Sequence, residues 1–416
     1  MEEYQAVESN TTEKNSIVKS VLLFCGGIVL GALVVSVIFA IMIHRMTPAT
    51  IAASGQEGSV LDDEVVQKLM LLEEGIDEYY LGDVDEAALE DSLYHGLVDG
   101  LDDPYSTYYS EEELEEVMES AEGIYYGIGA YIGLDTASGY CKITKVMDGT
   151  PAMEAGLQAE DIIVEVNGED MWGITTSEIV TYIKGPENTT VDLTIYREGE
   201  LDYLDITVER RKIETPTVVY EMDENKIATI QITQFDEVTT DQFKDSLKQA
   251  EQEGMKALVL DLRDNPGGSL ATVVDIAGEL LPKGLVVYTE DKAGERNEYK
   301  SDGKNEIQVP VVVLVNENSA SASEILAGAI QDYKKGTILG TTTFGKGIVQ
   351  KIFPMSDGSA LKLTISHYYT PAGNDIHGVG IVPDEELELD KEKYVEDGTD
   401  NQMDRAKEIL LEQIGE

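Results

Sequence analysis

Cysteine is nearly missing from this chain. There are two, Cys25 and Cys141, far apart, the first inside an apolar run. No disulfide framework can be built from that pairing, so cysteine does not define the redox compartment. Histidine is scarce too, with 4 residues, and no Cys/His cluster has metal-ligand spacing; the HExxH helix signature is absent. No metal and no other cofactor is expected. Positive charge is thin: 30 Lys plus Arg stand against 81 Asp plus Glu, a formal net charge of −51. A field of that sign repels phosphate backbones, so nucleic acid is not an expected partner, nor is a basic patch on anionic lipid. What is present is an ordinary globular composition, 42% hydrophobic with 38 Gly and 11 Pro in 416 residues. That is enough chain for two or three domains.

One long apolar run exists. Val21–Ile43, VLLFCGGIVLGALVVSVIFAIMI, has no charged residue. At the helical rise it spans roughly 35 Å, enough to cross a hydrocarbon layer of about 30 Å. It exceeds the apolar part of a signal peptide, so an uncleaved anchor is expected, with cleavage near Ala52-Ala53 as the alternative. Lys14 and Lys19 precede the run, and His44 and Arg45 follow it. The positive-inside bias favours an inside N-terminus. The expectation is a single-pass cell-membrane protein: residues 1–20 cytoplasmic, 21–43 anchor, 44–60 linker, and the acidic remainder outside the cytoplasm.

Residues 61–121 are rich in Leu and Glu at helical spacing, as in VVQKLMLLEEGIDEYY, and predict a small helical region. Residues 122–212 change character. Short alternating runs such as YCKITKVM, DIIVEVNG and TVDLTIYRE predict a β-rich module. Residues 213–390 alternate strands (KIATIQI, KALVLDLRDN, VPVVVLVNE) with helices (TTDQFKDSLKQAEQEG, SLATVVDIAGELLP). Such alternation predicts an α/β core. Residues 391–416 read as a charged helical tail. The fold class expected is multidomain α/β.

Two loops of the β-rich module carry information. Small residues in Tyr126-Gly127-Ile128-Gly129 leave backbone N–H groups open to an anion. The stretch TPAMEAGLQAEDIIVEVNG joins a short helix to a strand and an Asn167-Gly168 turn. Together they resemble a PDZ domain of the kind found with bacterial proteases, with Glu160 where the pattern has glycine. Such domains hold an extended C-terminal peptide as an added strand, its carboxylate in a backbone nest. The resemblance therefore implies peptide contacts at Tyr126, Gly127, Ile128 and Gly129.

In NENSASASEIL, three serines alternate: Ser319, Ser321 and Ser323. Ser321 with Glu324 makes an S-x-x-E box, which places Ser321 at a helix start. That is sufficient reason for a structural serine. The same place suits a nucleophile, because free N–H groups and the positive helix end lie there. The Ala322 N–H and the Asn265-Pro266-Gly267-Gly268 turn would supply oxyanion donors. A serine needs a base. His367 and His377 are the histidines of the core; lysine is the alternative if held neutral away from carboxylates. Tyr333–Ser356 contains no acid, and Lys346 stands there between Gly345 and Gly347. Lys334, Lys335 and Lys351 share part of that gap, so composition alone leaves several lysines open.

SASASEILAGAIQDY followed by FGKGIVQ resembles the serine–lysine core of the carboxyl-terminal processing peptidases, or tail-specific proteases. LDLRDNPGG, LKLTISHYYTPAGNDIHGVGIVPD and GLDDPYSTYYS add to the likeness, over roughly residues 61–388. The resemblance implies Ser321 as nucleophile, Lys346 as base, Gln350 as its orienting residue, and a crotonase/Clp-like α/β core. It implies an endopeptidase whose PDZ domain captures substrates with free C-terminal tails and can gate the active site. A homodimer is compatible with this reading. A binding scaffold with a degenerate core and an acyl-CoA-type enzyme using only an oxyanion hole are the rival readings, with a histidine-based hydrolase using His367 or His377 as a third.

Overall fold

The computed structural model describes residues 60–415. The run at 21–43 with its flanks lies outside them, and among the described residues no helix is long and apolar enough to cross a membrane. The chain forms two compact units, residues 60–111 with 353–361, and residues 112–352 with 362–415.

The first unit is built on α1 (Asp63–Tyr79) and α2 (Glu86–Asp99). Each starts at an aspartate. Asp62 accepts from the Val65 N–H at 2.9 Å, and Asp85 from the Ala88 N–H at 3.2 Å. These bonds satisfy donors that a helix start leaves open. A three-residue strand, β1 (Thr107–Tyr109), follows within the stretch expected to be helical. The helical region does not run to residue 121 as one piece: from Glu112 onward, α3 (Glu111–Glu122) goes with the second unit. Its Glu119 meets Lys184 at 2.8 Å.

The β-rich module follows: β2 (Ile124–Gly127), β3 (Ala130–Asp135), β4 (Tyr140–Val146), α4 (Pro151–Glu154), β5 (Ile162–Val166), β6 (Glu169–Asp170), α5 (Thr176–Ile183), β7 (Thr190–Tyr196), β8 (Leu204–Glu209) and β9 (Arg211–Glu214). Its sheet runs β3-β4-β5-β7-β8, and β2 pairs with β9. In β7, Val191, Leu193 and Ile195 are buried while Thr190, Asp192 and Tyr196 are exposed, the two-residue period of a sheet with one wet face. Asn167 and Gly168 join β5 to β6 with φ of 53° and 83°, the left-handed pair that a two-residue hairpin demands. At the end of its order, β3 keeps an open edge, and α5 lies near it across a groove. Thr175 and Glu178 start α5 with reciprocal bonds of 3.0 and 3.2 Å.

The core has β10 (Val218–Met222), β11 (Ile227–Ile232), α6 (Thr239–Gln252), β12 (Ala257–Asp261), α7 (Leu270–Leu280), β13 (Gly284–Asp291), β14 (Arg296–Ser301), β15 (Val311–Val315), α8 (Ala322–Asp332), β16 (Thr337–Gly340), β17 (Ile348–Pro354), β18 (Ala360–Tyr369), β19 (Glu385–Glu386), α9 (Lys391–Asp397) and α10 (Asn401–Ile414). The main sheet runs β10-β11-β12-β15-β16-β19 and is parallel after the first pair. Every residue of ALVLD (β12) and VVVLV (β15) is buried, because helices cover both faces. On one face, Leu258, Leu260 and Val313 pack with Phe243 of α6, Ile276 of α7 and Leu326 of α8. On the other, Val259, Val312 and Leu314 pack with Ala406, Ile409 and Leu410 of α10. The charged tail expected beyond residue 390 is thus a layer of the core. Its apolar positions recur at helical spacing and face the sheet.

Candidate active site

The carboxyl ends of β12 and β15 are the focus, where ligands are usually met in open parallel sheets. After β15 the chain turns through Asn316–Ala320 into α8. Ser319 is fully buried; its Oγ donates to the Leu262 carbonyl at 2.8 Å and accepts from the Asn316 N–H at 2.9 Å. Ser323 is also fully buried and donates to the Asn265 carbonyl at 3.0 Å. Both hydroxyls hold the loop after β12 against the loop after β15. Ser321, between them, is half-buried, with φ 54° and ψ −112°. A non-glycine residue occupies such a backbone region only when its surroundings impose it.

Those surroundings are Glu324 and Tyr368. Glu324 is fully buried, and its carboxylate gathers four donors. The Ser321 N–H gives 2.8 Å and the Lys346 N–H 2.9 Å to Oε2; Gly345 N–H at 2.7 Å and Thr343 Oγ1 at 2.6 Å meet Oε1. The acid of the capping box therefore reaches well beyond its own helix start. The Tyr368 hydroxyl, on β18, lies 2.9 Å from the Ser321 carbonyl and 2.5 Å from the Lys346 carbonyl. Burial, then the Glu324 charge, raises the Tyr368 pKa well above the usual phenol range, so it stays a donor. Ser321 and Lys346 are thus held through their backbones by the same two buried groups. From sequence Glu324 was legible only as the acid of the S-x-x-E box, and Tyr368 was not singled out.

Lys346 is half-buried. Its flanking glycines are required by the loop that crosses them: a Cβ on Gly347 would lie 2.5 Å from the His377 nitrogen, and one on Gly345 3.1 Å from the Gly380 nitrogen. Other lysines of the acid-free gap fare differently. Lys335 pairs with Glu306 at 2.9 Å, a carboxylate brought from outside the gap, and Lys334 is exposed. Gln350 lies on β17, its amide 3.5 Å from the Thr364 hydroxyl of β18.

The loop after β12 turns on Asn265, which is fully buried. Its amide donates to the Ile232 carbonyl at 2.7 Å and accepts from the Gly267 N–H at 2.8 Å, while its own carbonyl takes the Ala320 N–H at 3.0 Å. Gly267 has φ 103°, and a Cβ there would lie 2.7 Å from Ser321 Cβ and 2.9 Å from the Ala322 nitrogen. The glycine loop therefore sits directly against the serine. Of the donors expected for an oxyanion, the Gly267 N–H is engaged by Asn265; those of Gly268 and Ala322 have no acceptor among the described residues.

A cavity of about 550 Å³ runs along β3 and α5. Gly127, Ile128 and Gly129 line it, with Val180 and Ile183 opposite. Tyr126 does not; it lines a smaller neighbouring hollow with Lys184 and Pro186, because alternation along β2 turns it away. Part of the wall lies outside the β-rich module: Glu119 of α3, and Gln234 and Asp236 of the core. Asp236 is buried, and burial pushes its carboxyl up to about 6. Between those two core residues, Phe235 donates to the Gly267 carbonyl at 2.9 Å and accepts from Ser269 at 2.7 Å. Among the described residues, no group of three or more His, Cys, Asp or Glu could hold a metal ion.

Fold and site together define a class: a PDZ module joined to an α/β core whose serine loop and glycine loop meet at strand ends. A peptidase family S41 signature matches residues 226–387, and a PDZ-domain signature matches residues 142–197. The carboxy-terminal processing protease CtpA of Bacillus subtilis (strain 168) is 35% identical over 336 residues, 80% of this chain and 72% of that protein. A probable CtpA-like serine protease of Staphylococcus aureus (strain COL) is 37% identical over 313 residues, 74% of this chain and 62% of that protein. Among solved structures, a photosystem II D1 C-terminal processing protease is 29% identical, with 78% of this chain and 87% of that one covered and a TM-score of 0.45. This chain belongs to peptidase family S41, and it is a serine-type peptidase carrying a PDZ domain. The resemblance read from its motifs is borne out.

Proposed function

We propose that this chain is a membrane-anchored endopeptidase that takes substrate proteins by their free C-terminal tails and cleaves them outside the cytoplasm with a Ser321–Lys346 dyad. The observation that carries the dyad is the shared clamp: Glu324 and Tyr368 each bond to the backbones of both residues. The Lys346 amine, in its neutral form, takes the proton of the Ser321 hydroxyl as Oγ attacks the scissile carbonyl. The oxyanion is met by the N–H groups of Ala322 and Gly268. The protonated lysine then gives its proton to the departing amine, and water releases the acyl group by the reverse sequence. Gln350 orients the amine by hydrogen bonding. Ser321→Ala and Lys346→Ala should each abolish cleavage of a tailed peptide while leaving its binding intact. Turnover retained in either variant refutes the dyad.

The tail is placed along the open edge of β3, its carboxylate at the N–H groups of Gly127–Gly129. A tail there touches Gln234 and Asp236, the neighbours of the residue that holds the Gly267–Ser269 backbone. This supports gating of the core by the PDZ module. Deleting residues 123–211 should change the rate or the tail preference; an unaltered protease would rule gating out. The location rests on the uncharged run at Val21–Ile43. Protease digestion of intact and lysed cells tests it, since the catalytic part should be attacked from outside.

A further inference from the structure

Four histidines occur in the whole chain, and two of them meet although they lie on different elements. His367 is on β18 and His377 in the loop that follows; their ring centroids are 5.4 Å apart at 78°. We propose that these two imidazoles form a binding site for a zinc-class dication, beside the segment that carries Lys346. A tetrahedral ion with two metal–nitrogen bonds of about 2.1 Å places its ring centroids about 5 Å apart, close to the spacing found. Both side chains are exposed, so turning their nitrogens toward one ion displaces no core residue. Glu290 is the direct cross-strand neighbour of His367 on β13, so its carboxylate adds negative potential on the same sheet face. Asp375 fixes the loop by accepting the His377 backbone N–H at 2.9 Å.

Two protein ligands leave coordination positions for water, the pattern of an open, exchangeable site rather than a structural one. The site has a specific neighbour. Tyr368, next to one histidine, donates its N–H to the Gly347 carbonyl at 3.0 Å. Gly378, next to the other, donates to the Gly345 carbonyl at 2.8 Å. An ion joining the two imidazoles therefore ties β18 to the loop across Gly345–Gly347. The consequence for turnover rests on the Ser–Lys reading; the binding itself does not.

The test is calorimetric titration of zinc chloride into the full chain carrying Ser321→Ala. One ion per chain is expected, bound in the micromolar range and at least ten-fold more weakly after His377→Ala or His367→Gln. In chains with Ser321 intact, zinc should slow tailed-peptide cleavage reversibly on chelation. Both histidine variants should keep their turnover in chelator and lose the zinc effect. Zinc affinity unchanged in both variants, or no binding at millimolar zinc, overturns the proposal. A Ser321→Ala chain that still cleaved peptide would sink the dyad and leave the titration readable.

Discussion

At Ser321 the backbone is held at φ 54° by bonds at both its N–H and its carbonyl. A residue without Cβ adopts that region freely. Ser321→Gly is therefore expected to be inactive yet more stable than Ser321→Ala by about 1 kcal/mol in urea unfolding. Equal stabilities would mean the turn is unstrained. Ser323→Ala should behave the opposite way, losing about 1 kcal/mol with the chemistry retained, because its hydroxyl bonds a buried carbonyl. At this scale the sequence was partly legible. The S-x-x-E box marks Ser321, since capping is local chemistry. The acid-free gap did not select Lys346, because Glu306 reaches Lys335 from far along the chain. Tyr368 was invisible for the same reason: nothing near position 368 in sequence points to position 321.

Elements were easier to read where burial is two-sided. VVVLV and ALVLD announce central strands because helices cover both their faces. The last helix was read as a tail because its charges dominate composition, although Ala406, Ile409 and Leu410 recur at helical spacing. Leu410 is fully buried, so Leu410→Ala should cost about 2–5 kcal/mol by denaturant unfolding. A change under about 0.5 kcal/mol would return α10 to the status of an appendage. The junction between α3, the PDZ module and the core carries a pH signature. Burial raises the Asp236 carboxyl from 3.8 to about 6. The folded state then binds the proton more tightly than the unfolded one. Stability falls as pH rises from about 4 to about 6 and is not recovered above that window. Asp236→Asn should remove that decline and raise stability at neutral pH; an unchanged pH–stability curve would show that Asp236 does not titrate in this way.

For the whole molecule, a net charge of −51 acts on every encounter. Repulsion between like charges is screened as ionic strength rises, with a Debye length of about 10 Å at 0.1 M. Cleavage of peptides with acidic tails should therefore gain kcat/KM with added salt, while neutral tails change little. The same slope for both would show that bulk charge plays no part in selection. Domain order was legible because each module has its own period and motif; the far wall of the groove was not, since Glu119, Gln234 and Asp236 come from outside the β-rich module. One design consequence follows from that shared wall. A fragment cut out at residues 122–212 would keep β3 and α5 yet lack part of the trough's far side. Affinities measured on such an excised piece would understate what the intact enzyme achieves, and screens for inhibitors of tail capture belong on the undivided chain.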